Sequence, residues 1–145
     1  MNAKGKTAPK KRFEAFTDEE KGAMRDRVKE LKVGQGDSEA EVLAKIAEME
    51  PSDRSMAQRV HAIVRANAPA LAPKLWYGMP AYARDGKLVC HFQPALKFKQ
   101  RYATLGFSDA ATLDEGNMWA NAYSLTKVGP AEEAKIVALL KKALS

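Results

Sequence analysis

The chain has 145 residues, 46% of them apolar, and a formal net charge of +6. That length fits one domain with a full core, and no apolar run approaches the roughly 18 residues of a membrane span. Cys90 is the single cysteine, which excludes an intrachain disulfide framework and leads to the expectation of a cytoplasmic setting.

The charge is unevenly placed. Lys4, Lys6, Lys10, Lys11 and Arg12 lie in the first twelve residues without an acid, leaving nineteen basic against eighteen acidic side chains in the remainder. Residues 1–14, basic and with Gly, Pro and Ala, are expected to form a disordered tail that solubilises the chain or touches an anion such as nucleic acid. No apolar segment follows the basic residues, so they do not read as a secretory signal.

Residues 15–36 are expected to form an additional N-terminal helix. Thr17 with Glu20 makes a capping box, Met24, Val28 and Leu31 recur at helical spacing, and Gly34 and Gly36 end the run. From residue 38 onward an α+β domain is expected, reaching residue 145. Its first helix begins at Ser38 with Glu41 three residues on, and carries Val42, Leu43, Ile46 and Met49 as its apolar stripe. Pro51 ends it, because a residue preceding proline avoids the helical region. The next helix starts near Ser52 or Asp53, buries Met56, Val60, Ile63 and Val64, and stops at "NAPALAP".

Beyond Lys74 the pattern turns strand-like. The segments "KLWYG", "PAYAR", "KLVCHFQ", "LKFKQ", "RYATLGF" and "MWANAYSL" are rich in aromatics and separated by turn residues. Asp85-Gly86 is a hairpin signal. Pro80 lacks an amide hydrogen, so "GMP" reads as a kink where a regular central ladder fails. After the hairpin, Leu88, Cys90 and Phe92 are expected on one face and Val89, His91 and Gln93 on the other. A loop or short helical turn at "SDAATLDEGN" precedes the last strand. The closing helix starts at Pro130 and directs Ile136, Leu139, Leu140 and Leu144 at the core. Helices, then strands, then a helix predict an α+β two-layer sandwich, with helices on one face of an antiparallel sheet of about five strands.

The chemistry-bearing residues are sparse. His61, His91 and Cys90 have no metal-ligand spacing, and the adjacent Cys90 and His91 point to opposite faces of a strand. Cys90 is expected buried, His91 at the surface, and His61 at the flank of a helical stripe. No enzyme is expected, since no phosphate loop, dinucleotide fingerprint or paired-carboxylate motif is present. Trp76, Tyr82, Trp119 and Tyr123 are candidate ligand-binding residues: one covered sheet face cannot take every ring in the strand region, so some line a groove for a small ligand, a peptide or a protein partner. Lys97, Lys99 and Arg101 alternate with Leu96, Phe98, Gln100 and Tyr102. On a strand that gives a basic face suited to single-stranded nucleic acid, or an ordinary solvated edge.

"LWYGMPAYARDGKLVCHF", "FKQRYATLGF" and "LDEGNMWANAYSL", followed by a helix, resemble the YdhG-like domain-of-unknown-function family over residues 39–144. The resemblance implies a frataxin-like architecture, and a function as a bacterial intracellular iron chaperone that binds iron weakly through surface carboxylates. Glu41 and Glu48 are the positions that would supply such ligands.

Overall fold

The computed structural model describes residues 19–23 and 38–145. The expected tail, 1–14, and most of the expected first helix, 15–36, lie outside the described residues; residues 19–23 are helical. The elements are α1 (Ser38–Ala47), α2 (Pro51–Asn67), β1 (Ala72–Trp76), β2 (Met79–Arg84), β3 (Lys87–Gln93), β4 (Ala103–Phe107), β5 (Ala122–Leu125) and α3 (Pro130–Ala143). The five strands form one antiparallel meander in the order β1-β2-β3-β4-β5. No helix of the described residues is long and apolar enough to cross a membrane.

Most of the helical stripe positions bury as their spacing predicts, with Met49, Leu139 and Leu144 partly buried and Leu43 exposed. Val42 and Ile46 of α1, Met56, Val60, Ile63 and Val64 of α2, and Ile136 and Leu140 of α3 join Tyr82, Cys90, Phe92, Leu105, Phe107 and Leu125 in a single core. Each large apolar side chain so buried contributes roughly 1.5–3 kcal/mol. Leu43 stands 48% exposed. It lies one residue past Val42, a rotation of about 100° that turns it off the buried face.

Both short hairpins close on two residues with positive φ: Tyr77 (52°) and Gly78 (77°), then Asp85 (53°) and Gly86 (78°). Paired positive φ values match the right-handed twist of the strands they join. "GMP" is therefore not a kink inside a strand. Gly78 completes the first turn, and Met79 and Pro80 open β2, paired with Trp76 and Leu75. The missing amide of Pro80 shows up on the other side. β2 and β3 pair only as far as Ala81↔His91, and the next rung would need the hydrogen Pro80 lacks.

The expected alternation along β3 breaks at one residue. Tyr82 pairs with Cys90 but Ala83 pairs with Leu88, leaving Val89 as the extra residue of a β-bulge. Val89 consequently enters the core with Cys90 and Phe92, where strict alternation would have sent it to the opposite face.

The segment "LKFKQ" is not a strand. Residues 95–99 form turns, Lys99 sits at φ 55°, and Lys99 N–H and Gln100 N–H donate to Leu96 and Ala95 carbonyls. The cause lies forty residues earlier. Asp53 is 1% exposed, and its carboxylate accepts the amides of Ala95 (3.0 Å) and Leu96 (2.9 Å). Those bonds curl the chain onto the start of α2. Asp53 thus anchors this loop and does not cap α2, which begins at Pro51.

Candidate functional site

The strand register decides which rings can meet. Residues opposed across antiparallel strands share a face. Tyr82 pairs with Pro73 and Cys90, while Tyr123 pairs with Leu105, itself opposite Phe92; all lie on the helix-covered face. Trp76 pairs with Met79 on the outer face. Trp119 precedes β5, at the far edge of the sheet, about 19 Å from β1 at about 4.8 Å per strand spacing. The four rings expected to line one groove therefore do not. Tyr82 is 0% exposed, Tyr123 packs edge-on against Phe107 at 6.2 Å, and Trp119 stands 42% exposed in its loop.

Trp76 has different company. Its indole meets the Tyr77 ring edge-on at 5.3 Å and the His91 imidazole at 5.0 Å. The outer face here runs Lys74, Ala81, His91, Gly106, Ala122 across the five strands. Ala81 is small, so the indole reaches across β2 to β3. Gly106 is the notch under the imidazole: a Cβ there would stand 2.5 Å from His91 Cε1. His91 is thus half-buried on the outer face, not a plain surface residue. Burial alone lowers its pKa below the usual 6.5, favouring the neutral ring, and no hydrogen bond to that ring is found among the described residues.

Tyr77 adds a conformational observation. A bulky side chain at positive φ costs on the order of 1–2 kcal/mol, which glycine or asparagine would avoid. Tyr77 is 39% exposed, and its ring meets the Trp76 indole edge-on.

A second polar constellation lies in the core face. Tyr82 Oη and His61 Nδ1 are 2.8 Å apart, His61 Nε2 and Glu39 Oε2 2.9 Å, and Arg65 Nε donates to the same Oε2 at 3.1 Å. An ionised Glu39 only accepts, so His61 donates to it from Nε2 and turns Nδ1 to the Tyr82 hydroxyl. The hydrogen bond from His61, aided by Arg65, holds the Glu39 carboxyl below its usual range. His61 is 7% exposed, so the expected flank position is corrected: its ring is sealed against Tyr82. The relay has the order of a catalytic one, but it ends on a fully buried hydroxyl whose pKa burial raises. Cys90, on the next strand, is buried with its thiol pushed up to about 12, so the nucleophilic thiolate is not formed near neutral pH. A relay of residues 39, 61 and 82 has no local spacing that the sequence could reveal.

The remaining expected residues disperse. Glu48 is exposed and pairs with Lys45 at 3.6 Å; Glu41 is half-buried on α1. Among the described residues no group of three or more His, Cys, Asp or Glu converges on a common point. Lys97 lies over its neighbour Phe98 (5.8 Å), Lys99 pairs with Glu19 (3.4 Å), and Arg101 lies over Tyr102 (5.2 Å). Without a strand they form no alternating basic face. A cavity of about 300 Å³, lined in part by Lys45, Asp53, Gly78, Pro94 and Lys97, opens where Pro80 ends the β2–β3 ladder.

No protein-family model, curated protein or solved structure matches the chain.

Proposed function

We propose that the chain is a non-enzymatic binding protein that receives a planar ring of a small ligand on Trp76, Tyr77 and His91. The observation that carries this reading is Tyr77, kept at φ 52° with its ring exposed against Trp76. Two aromatic faces offer stacking, worth roughly 0.5–1.5 kcal/mol per ring pair beyond area burial. The neutral His91 ring supplies one donor and one acceptor for the ligand's polar edge. Lys74, in the same cross-strand row, adds a cation for an acidic substituent. An antiparallel sheet of five strands followed by a closing helix is also what the YdhG-like resemblance implies. Carboxylate ligation of iron gains no comparable support, because Glu41 and Glu48 have no third ligand beside them among the described residues.

The test uses the intrinsic fluorescence of two tryptophans. In a Trp119→Phe chain, Trp76 is the sole emitter. Titration with indole, free nucleosides and flavin mononucleotide should quench it saturably for at least one probe, and His91→Ala should weaken that binding about tenfold, the loss expected of one good hydrogen bond. Equal affinity in the His91→Ala chain, or no saturable quenching, rejects the proposal.

A further inference from the structure

Among the described residues nothing pairs with the outer side of β5, an edge remote from Trp76 and Tyr77. Phe107 N–H donates to Asn121 C=O at 2.7 Å, so these directly opposed residues form a hydrogen-bonded pair. Alternation then makes Leu105↔Tyr123 and Ala103↔Leu125 bonded pairs as well. Ala122 and Ser124 consequently aim their N–H and C=O groups away from β4, and both residues are exposed.

The two edges of the sheet are treated differently. β1 carries Pro73 and Lys74, residue types that discourage a further strand from adding. β5 reads Ala-Tyr-Ser-Leu, with no charge, no proline and no register shift against β4. Large apolar side chains adjoin this unguarded edge: Met118 is 89% and Trp119 42% exposed. A cleft of about 360 Å³ runs beside it, between β5 and α3, walled by Tyr123, Leu125, Ile136 and Leu139 with Glu132 and Lys135 at its polar side.

We infer that β5 pairs antiparallel with β5 of a second copy of the chain. A two-fold axis at Tyr123 sets Ala122 opposite Ser124 of the partner subunit, and Ser124 opposite Ala122 of the partner subunit. Every outward donor then meets an outward acceptor. Continued along the chain, the same register sets Trp119 against Lys127 of the partner subunit and Met118 against Val128 of the partner subunit. The first pair is a cation over an indole and the second is apolar on apolar. Because the axis is perpendicular to the sheet, both α3 helices stay on one face and flank the seam. An unrelated peptide would satisfy the backbone groups equally, but it would not supply these two flanking matches.

Sedimentation equilibrium of the full chain over a wide concentration range tests this. The expected mass approaches twice the 15.9 kDa of one chain as concentration rises. Ser124→Pro removes an outward amide hydrogen while leaving the β4 bonds intact, and should return the mass to that of one chain with an unchanged circular dichroism spectrum. Trp119→Ala should weaken association about tenfold. Should Ser124→Pro fail to fold, hydrogen exchange of the unaltered chain decides: the Ala122 and Ser124 amides gain protection with concentration if β5 pairs. A chain that stays monomeric throughout overturns the inference. So does a dimer whose Ala122 and Ser124 amides exchange freely, or one whose mass neither variant alters.

Discussion

Tyr77 stands at φ 52° in the first hairpin turn, and His91 is half-buried against the Trp76 indole. Tyr77→Asn creates an Asn-Gly pair, which a turn with two positive φ values favours. Relief of strain offsets the lost ring contact with Trp76, so stability in urea should hold or rise by up to about 1 kcal/mol, while binding at the aromatic face weakens. A loss of more than about 1 kcal/mol would make Tyr77 a packing residue instead. His91 adds a pH dependence whose sign follows from burial. Its folded-state pKa lies below the ordinary 6.5. The unfolded chain therefore takes up a proton that the folded chain resists. Stability is full above about pH 6.5 and falls as pH drops from there toward the folded-state pKa. His91→Gln, which does not titrate, should flatten the stability profile between about pH 7.5 and 5.5; parallel profiles for the two proteins would refute this assignment.

At the scale of elements, two long-range constraints shape the site, and neither shows in local sequence. The alternation in "LKFKQRY" fits a strand, yet the Asp53 carboxylate captures two amides of the segment and folds it into turns. Asp53→Ala should cost about 3 kcal/mol in urea denaturation, because two amides lose a charged acceptor. Hydrogen exchange at Ala95 and Leu96 should accelerate, and unchanged exchange there would argue against the anchor. The second constraint is the fit of His91 over Gly106. Gly106→Ala should destabilise by roughly 1–3 kcal/mol through overpacking. In His91→Ala the same change should be nearly neutral, a non-additivity that a double-mutant cycle measures. Helix positions, by contrast, were legible: Met56, Val60, Ile63 and Val64 recur at helical spacing and all four are buried. The Asp85-Gly86 turn was legible for a similar reason, since its conformation is chosen by the two residues that adopt it.

For the whole molecule, the α+β architecture followed from the order of periodic segments, and the antiparallel meander from turns short enough to join only neighbours. The candidate site was legible in part. Trp76 was singled out because one covered sheet face cannot take every ring of the strand region. Tyr82 and Tyr123 do not share a groove with Trp76, because single-strand alternation does not reveal which face the helices cover. The Glu39–His61–Tyr82 relay stayed hidden because its members come from three elements. What emerges is a sheet with one face sealed by helices and tied by that relay, and an outer face where Trp76, Tyr77 and His91 gather. The direct test of that division is a nuclear magnetic resonance titration following the indole N–H signals of Trp76 and Trp119 with the best-quenching planar probe. The account predicts saturable shifts of the Trp76 indole and the His91 ring, with Trp119 unmoved. Shifts confined to Trp119, or spread equally over both indoles, would contradict it.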